Sequence, residues 1–253
     1  MPPSLPRPPR RGATPRRHLD VAESADEAAQ RCAAHLATHL STQLATQMRR
    51  VGGHPTVAFS GGSTPTVMFG HLARLIAVDR RNGQDWWRDV EVFQVDERIA
   101  PDGDEARNAV PLTSALLDPA DTPERHRHLI DVNGDDPAGD YARLLRQYAP
   151  SGLDIAVLGL GDDGHTASLV PGDPVVDELI STMATTGPYR GHTRVTMTRP
   201  TLDQAHALVW LITGGTKVVP LRQLLAGDRS IPAGLLVAPE QTIFTDRDAM
   251  GDA

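Results

Sequence analysis

The sequence predicts an α/β fold with three layers (αβα), in which helices cover both faces of a mostly parallel β-sheet. Short apolar runs alternate along the chain with segments of helical periodicity, as expected when helices connect parallel strands. The apolar runs are nearly uninterrupted, as in "TVAF" at 56–59 and "LDIAVLGL" at 153–160. Such runs are typical of strands that are buried on both faces. Because no repeat or linker interrupts the pattern, residues 19–253 are predicted to form one domain.

The first 18 residues have a different composition. They contain repeated prolines and arginines and no acidic residue. Such a segment has little apolar surface to bury, so residues 1–18 are predicted to be a disordered Pro/Arg-rich tail. We expect neither a signal peptide, which needs an apolar core, nor a mitochondrial presequence, which needs a helix that these prolines break.

The first half of the domain begins with an Ala-rich segment that predicts a helix from about Asp20 to the glycines Gly52 and Gly53. The strand at 56–59 follows, and the loop "SGGSTP" leads into a helix over 66–78. The β-branched and apolar residues of "VEVFQV" predict the next strand, and a short helix is expected near 111–117.

The second half repeats this alternation. Helical periodicity predicts a helix over 138–148, which precedes the strand at 153–160. The runs "RVTMT", "ALVWLIT" and "AGLLV" predict three further strands, with a helix over 216–227 between the last two.

Composition excludes several classes of partner. The net charge of −7 argues against nucleic acid as a bulk electrostatic partner. No apolar run approaches the roughly 20 residues that span a bilayer, so no membrane segment is expected. The single cysteine, Cys32, cannot form an intramolecular disulfide, which favours a reducing, cytoplasmic location. We expect a monomer or a weak homo-oligomer.

Four polar loops each follow a predicted strand. They are Ser60 to Thr64, Asp96 to Arg98, Gly159 to His165, and Thr213 to Lys217. The carboxyl ends of parallel strands share one edge of a sheet, and ligands bind at that edge. The four loops are therefore predicted to form one site.

Two of these loops suit a phosphate group. In "SGGSTPT", Gly61 and Gly62 allow close backbone approach, Ser63 or Thr64 can cap the following helix, and the helix N-terminus attracts an anion. Lys217 is the only lysine in the chain and opens a helix after a strand, where a compact positive charge can bind phosphate.

The stretch "LGLGDDGHTAS" has the spacing G-x-G-x-x-G, which alone predicts a dinucleotide-binding loop. However, Asp162 and Asp163 would repel a pyrophosphate, and Pro171 leaves little room for the long helix that such a site requires. We expect instead a turn that presents His165 for proton transfer. Either aspartate can orient its ring, and the sequence does not decide between them.

The motifs "FSGGSTP", "VDER", "LGLGDDGHTASLVPG" and "TGGTK", in this order and spacing, resemble those of the glucosamine-6-phosphate isomerase/6-phosphogluconolactonase family. The similarity runs over about residues 20–245. It implies a glucosamine-6-phosphate deaminase-like fold and hydrolysis of 6-phospho-D-glucono-1,5-lactone, a small sugar-phosphate lactone, in the oxidative pentose phosphate pathway. It implies no metal and no organic cofactor.

The predicted site follows from the loops and the resemblance together. The catalytic residues are His165 as general base, Asp163 and Arg98. The substrate and phosphate contacts are Ser60, Gly61, Gly62, Ser63, Thr64, Asp96, Arg98, Asn108, Gly161 and Lys217. Three features depart from the family pattern: Arg107 stands where serine is common, Val170 stands where phenylalanine is usual, and the C-terminal "EQTIFTDRDAM" lacks the expected tryptophan.

Two alternatives remain. The first is a glucosamine-6-phosphate deaminase/isomerase, but the deaminases carry a glutamate that supports the ring-opening histidine, and Val170 occupies its place here. The second is a non-catalytic sugar-phosphate-binding protein, which would normally carry a DNA-binding domain. His35 and His39 lie four residues apart on the predicted first helix but have no third ligand in the sequence pattern, so no metal site is expected.

Overall fold

The computed structural model of the protein describes residues 15–47 and 53–251. Its β-strands are β1 (Arg16–Ala22), β2 (Thr56–Phe59), β3 (Glu91–Gln94), β4 (Asp96–Arg98), β5 (Arg127–His128), β6 (Ile155–Leu158), β7 (Met183–Thr185), β8 (Arg194–Met197), β9 (Ala207–Ile212) and β10 (Glu240–Asp246). Its α-helices are α1 (Ala25–Gln47), α2 (Ser63–Arg81), α3 (Ala109–Leu112), α4 (Pro137–Tyr148), α5 (Arg199–Asp203), α6 (Val218–Ala226) and α7 (Arg247–Met250).

The main sheet has seven strands in the order β1-β10-β9-β6-β2-β3-β5, and every neighbouring pair is parallel. The strands predicted at 56–59, 90–95, 153–160 and 207–213 are all present, as β2, β3, β6 and β9. Residues of β2, β3 and β6 are buried without exception. This explains the largely apolar sequence of β2 and β6, whereas β3 also buries the polar residues Glu91 and Gln94.

Helices cover both faces of this sheet, and each face has its own core. Along β6, Ile155 and Val157 pack with the core under α1 and α2, whereas Ala156 and Leu158 pack with the core under α4 and α6. This alternation follows from the period of two along a strand. The fold is therefore the predicted three-layer αβα arrangement. No helix among the described residues has the length and apolar composition to cross a membrane.

A second, antiparallel sheet of three strands, β4-β8-β7, lies beyond the end of β3. The run "RVTMT" is a strand, β8, but it pairs with β4 rather than with the main sheet. The chain passes from β3 through Val95 directly into β4. The segment Asp96–Arg98 is therefore a strand of the small sheet and not a loop.

At the amino end of the domain, two predicted boundaries are wrong and one strand was not predicted. Residues 16–18 belong to β1, which pairs along its whole length with β10, so the predicted tail extends too far; residues 1–14 of that tail lie outside the described residues. The first helix consequently starts at Ala25, not at Asp20. β1 escaped prediction because it is an edge strand with several exposed polar residues and lacks an apolar run.

The segment "AGLLV" is not a strand. Pro232–Leu235 forms a 3₁₀ turn, because Pro232 starts the turn and Gly234 lies so close to the carbonyl oxygen of Asp228 that any side chain there would clash. The last parallel strand is instead β10, which the sequence pattern did not indicate.

Candidate active site

The four polar loops meet at the carboxyl edge of the main sheet, as predicted. They surround an open pocket of about 270 Å³, at the small end of the range for ligand pockets. Every predicted site residue except Asp163 lines this pocket. Its walls are formed by Ser60, Gly61, Gly62, Ser63, Thr64, Pro65, Asp96, Arg98, Asn108, Gly159, Leu160, Gly161, Asp162, His165, Thr166, Ala167, Arg190, Arg194, Leu211, Ile212, Thr213 and Lys217.

One wall is the start of α2. Its N-cap residue is Gly62, with φ of 121°, and no side chain caps the helix. The expectation that Ser63 or Thr64 acts as the cap is therefore wrong, since both lie inside the first turn. Because no side chain satisfies the first N–H groups, they remain available to an anion in the pocket. The buried hydroxyl of Ser60 likewise has no hydrogen-bond partner among the described residues.

His165 is oriented by Asp163 and not by Asp162. The Nδ1 atom of His165 lies 2.6 Å from Asp163 Oδ1, and the hydroxyl of Tyr189 donates to Asp163 Oδ2 at 2.9 Å. Partial burial alone would raise the pKa of Asp163. Hydrogen bonds from the backbone and ring of His165, together with the Tyr189 hydroxyl, outweigh burial and lower this pKa to about 2.

The protonation of the His165 ring follows from this pairing. An ionised carboxylate only accepts hydrogen bonds, so Nδ1 carries a proton, and in the neutral form of the ring Nε2 keeps its lone pair. Asp162 has a different role: its carboxylate accepts from Arg190 at 2.7 Å, and this hydrogen bond lowers the pKa of Asp162.

The glycines of the G-x-G-x-x-G stretch shape the turn around His165. A Cβ atom on Gly161 would lie 2.0 Å from His165 Nδ1, so the ring can occupy its position only because residue 161 has no side chain. Gly164 has a φ of 82°, which favours glycine. No helix starts within residues 159–173, all of which are described, so the turn lacks the helix N-terminus that a dinucleotide site needs.

Behind the pocket, a buried carboxylate ties two segments together. Glu97 is fully buried and accepts hydrogen bonds from the backbone N–H groups of Arg98, Asn108 and Ala109 at 2.7–2.8 Å. It also contacts the Nε atom of Arg107 at 3.2 Å. Glu97 thereby fixes both β4 and the start of α3, which carry three of the predicted contacts.

Arg107, the departure from the family pattern, does not line the pocket. It is buried behind the site, where it donates to the carbonyl oxygen of Ala100 at 3.1 Å and pairs with Asp102 at 3.0 Å. Its neighbour Asn108 does line the pocket and donates to the backbone of Asp96 at 2.9 Å. The arginine at position 107 therefore supports the segments behind the pocket and does not line the pocket itself.

The sequence analysis missed Tyr189, Arg190 and Arg194. The β7–β8 hairpin brings Arg190 and Arg194 to the pocket and Tyr189 to Asp163, with Arg190 and Gly191 at its tip, both at positive φ. The signal was present: "YRGH" places a turn dipeptide ending in glycine between two β-branched runs, which is typical of a hairpin. Nothing in the sequence, however, indicated which sheet edge this hairpin would reach.

Among the side chains that line the pocket, positively charged groups outnumber negatively charged ones. The Nε atoms of Arg98 and Arg194 are buried without hydrogen-bond partners among the described residues. Burial, and then the nearby charge of Arg98, lower the pKa of Arg194. Lys217 lies in a 3₁₀ turn, Gly215–Lys217, and forms no salt bridge within residues 15–47 and 53–251. Burial raises the pKa of Asp96. The site is therefore suited to an anionic ligand.

Residues 23–245 match the family described as glucosamine-6-phosphate isomerases/6-phosphogluconolactonase. The chain belongs to this family. A 6-phosphogluconolactonase from Synechocystis sp. is 33% identical over 186 residues, which cover 69% of this chain and 72% of the relative. The family assignment thus agrees with the resemblance carried by the four loop motifs.

Solved structures of family members have the same fold. The 6-phosphogluconolactonase from Trypanosoma brucei matches with a TM-score of 0.78 at 21% identity, covering 94% of this chain and 99% of that one. A monomeric glucosamine-6-phosphate deaminase matches with a TM-score of 0.75 at 18% identity, covering 92% and 99%. The fold is therefore shared by lactonases and deaminases and does not separate the two activities.

Proposed function

We propose that this protein hydrolyses 6-phospho-D-glucono-1,5-lactone to 6-phosphogluconate, with His165 as the general base. The observation that carries the proposal is the hydrogen bond between His165 and the ionised Asp163 at the wall of a positively charged pocket. Family membership and the Synechocystis relative named as a 6-phosphogluconolactonase support the choice of substrate.

The chemistry requires an activated water molecule. Nε2 of His165 accepts a proton from water as the water oxygen attacks the lactone carbonyl carbon, C1. Asp163 stabilises the imidazolium that forms. When the bond between C1 and the ring oxygen breaks, His165 returns the proton to that oxygen. The products are the carboxylic acid, which ionises in water, and a free hydroxyl group.

The positively charged groups of the pocket have two different roles in this proposal. The N–H groups at the start of α2 and the ammonium of Lys217 bind the phosphate. The guanidinium of Arg98, with its free Nε atom, stabilises the oxyanion of the tetrahedral intermediate. The hydroxyl of Ser168 donates to Asp96 Oδ2 at 2.5 Å and so holds the carboxylate of Asp96 in place at the wall of the pocket.

The deaminase alternative has no support from the site. Val170, at the place of the deaminase glutamate, is buried and apolar, so it cannot assist the ring-opening histidine. No other observation favours ammonia release from glucosamine 6-phosphate.

The test is a rate measurement on freshly generated 6-phosphogluconolactone at fixed pH, corrected for spontaneous hydrolysis. We expect strong acceleration by the wild-type protein and no ammonia release from glucosamine 6-phosphate. Ammonia release without lactone hydrolysis would establish a deaminase, and binding of sugar phosphates without either reaction would establish a non-catalytic protein.

A further inference from the structure

Three potential metal ligands meet at the edge of the main sheet opposite to the pocket. His54, Asp89 and His126 each stand one or two residues before a strand, namely β2, β3 and β5. These strands are adjacent and parallel, so their amino ends lie side by side. One nitrogen or oxygen atom from each of the three side chains lies within 4.8 Å of the others. The sheet therefore gathers the three side chains, although they are distant in sequence.

The imidazole of His126 is the innermost of the three groups. Its side chain is only 6% exposed, and its Nδ1 atom lies 2.9 Å from Glu91 Oε1. Despite this proximity, neither Nδ1 nor Nε2 of His126 forms a hydrogen bond of ordinary geometry among the described residues, and both atoms are buried. Buried polar atoms nearly always have a partner, so we expect a bound group at this imidazole.

The imidazole of His54 has one nitrogen held by the backbone. Its Nδ1 atom lies 2.8 Å from the backbone carbonyl oxygen of Asp89, which can only accept a hydrogen bond. Nδ1 of His54 is therefore protonated, and Nε2 has its lone pair free. The rings of His54 and His126 are 5.1 Å apart, centre to centre.

This pattern is characteristic of metal-binding histidines. Such histidines donate one ring N–H to a carboxylate or a backbone carbonyl, which fixes the tautomer and leaves the other nitrogen for the metal. Here the carbonyl oxygen of Asp89 takes this part for His54, and the carboxylate of Glu91 lies beside Nδ1 of His126 at 2.9 Å. The carboxylate of Asp89 supplies the third, oxygen ligand.

We propose that His54, Asp89 and His126 bind one divalent transition-metal ion of the zinc type. Two imidazoles and one carboxylate form a ligand set that zinc accepts, with water in the fourth position. Magnesium, which prefers six oxygen ligands, is excluded by the two nitrogen ligands. The ion joins the amino ends of three strands far from His165, so it stabilises the fold and takes no part in the proposed hydrolysis.

The experiment is a calorimetric titration of the full chain with ZnCl₂, with MgCl₂ as the control, accompanied by thermal melting. We expect one zinc ion per chain and no response to magnesium. At a zinc concentration about 100 times the dissociation constant, the melting temperature should rise by roughly 5–10 °C.

Variants of the proposed ligands test where the zinc ion binds. His54→Gln and Asp89→Asn each change a side chain that is not fully buried, so both variants should fold; each should weaken zinc binding at least about tenfold and abolish the rise in melting temperature. His165→Asn is the matched control, because it removes a ligand from the other candidate cluster, formed by Asp162, Asp163 and His165. It should leave zinc affinity unchanged.

Two outcomes would overturn the proposal. If His165→Asn abolishes binding while His54→Gln and Asp89→Asn retain it, the ion binds in the pocket. If neither His54→Gln nor Asp89→Asn changes zinc affinity or melting, the three side chains do not form a metal site.

Discussion

The Nδ1 atom of His165 lies 2.6 Å from the Oδ1 atom of Asp163, a carboxylate whose pKa is lowered to about 2. The pairing keeps a negative charge beside the imidazole throughout the neutral pH range. In the neutral form of the ring it leaves the lone pair on Nε2, the atom proposed to activate water.

Replacement of His165 by asparagine preserves polarity but removes the base. We expect kcat for 6-phosphogluconolactone to fall by roughly 10²- to 10⁴-fold, the usual contribution of general acid–base catalysis. KM should change little, because the phosphate contacts remain. Stopped-time assays at fixed pH measure both constants, and a kcat close to that of the wild type would rule out His165 as the base.

Replacement of Asp163 by asparagine removes the negative charge beside His165 but keeps an oxygen atom that can orient the ring. The asparagine oxygen still accepts the Nδ1 proton of His165, but it cannot stabilise the imidazolium, so kcat should fall by roughly 10- to 10²-fold. Tyr189→Phe is the matched control, since it removes only the hydrogen bond to Asp163 Oδ2. Its effect on kcat should be clearly smaller; equal losses would show that the hydrogen bond from Tyr189, and not the charge of Asp163, is what the reaction requires.

The same pair makes stability dependent on pH. Because the folded-state pKa of Asp163 is depressed to about 2, its ionised form stabilises the fold above the ordinary pKa of about 4. This contribution disappears as the pH falls from about 4 to about 2. Denaturant unfolding of wild type and Asp163→Asn should therefore give a constant difference in free energy above pH 5 and a shrinking one below pH 4. A difference that grows on acidification would contradict the assigned pKa.

Two glycines of the same motif should respond differently to alanine. On Gly161 the new Cβ would lie 2.0 Å from His165 Nδ1 and 2.7 Å from Asp163 Oδ1. Displacement of a catalytic group by about 1 Å can cost roughly 10²-fold in rate, so Gly161→Ala should lower kcat by at least that factor. On Gly159 the Cβ meets no atom within 4 Å, so Gly159→Ala should keep a near-normal kcat. Equal kcat values for the two variants would refute this account of the turn.

Lys217 is predicted to hold the phosphate. Lys217→Ala should reduce kcat/KM by roughly 10- to 150-fold, the value of a charge-assisted hydrogen bond. The loss should lie mainly in KM, because the phosphate is remote from C1. Lys217→Arg should recover part of it, since a planar guanidinium replaces a compact charge.

Unphosphorylated gluconolactone is the control for Lys217. It lacks the group that the lysine is proposed to bind, so wild type and both variants should hydrolyse it at similar rates. If Lys217→Ala impairs both lactones equally, the lysine serves the chemical step or the fold instead.

Deletion of residues 1–22 tests the role of β1. This deletion removes Arg16–Ala22, including the buried Ala22, and exposes the edge of β10, so the melting temperature should fall by at least about 5 °C. Deletion of residues 1–14 is the control, and composition predicts no change for it. Equal melting temperatures for the two deletions would show that β1 adds little to stability.

Sequence alone determined the layered fold and the position of the site. Buried parallel strands require continuous apolar runs, and their carboxyl ends must share one edge, so the loops at Ser60, Asp96, Gly159 and Thr213 had to converge. The same reasoning selected His165, because it lies in one of those loops. Edge strand β1 was missed, since an exposed edge needs no apolar run.

Only the tertiary structure decided which groups act together within that site. Asp162 and Asp163 are neighbours in the sequence, and the β7–β8 hairpin separates their roles by bringing Arg190 to one and Tyr189 to the other. The same holds at the opposite edge, where the sheet brings His54 and His126 together from distant segments. Hydrogen bonds and metal coordination act over only a few ångströms. Sequence periodicity predicts which face of a helix or strand a side chain occupies. It does not predict the distance between two side chains that are remote in the chain, so these contacts could not be read from the sequence.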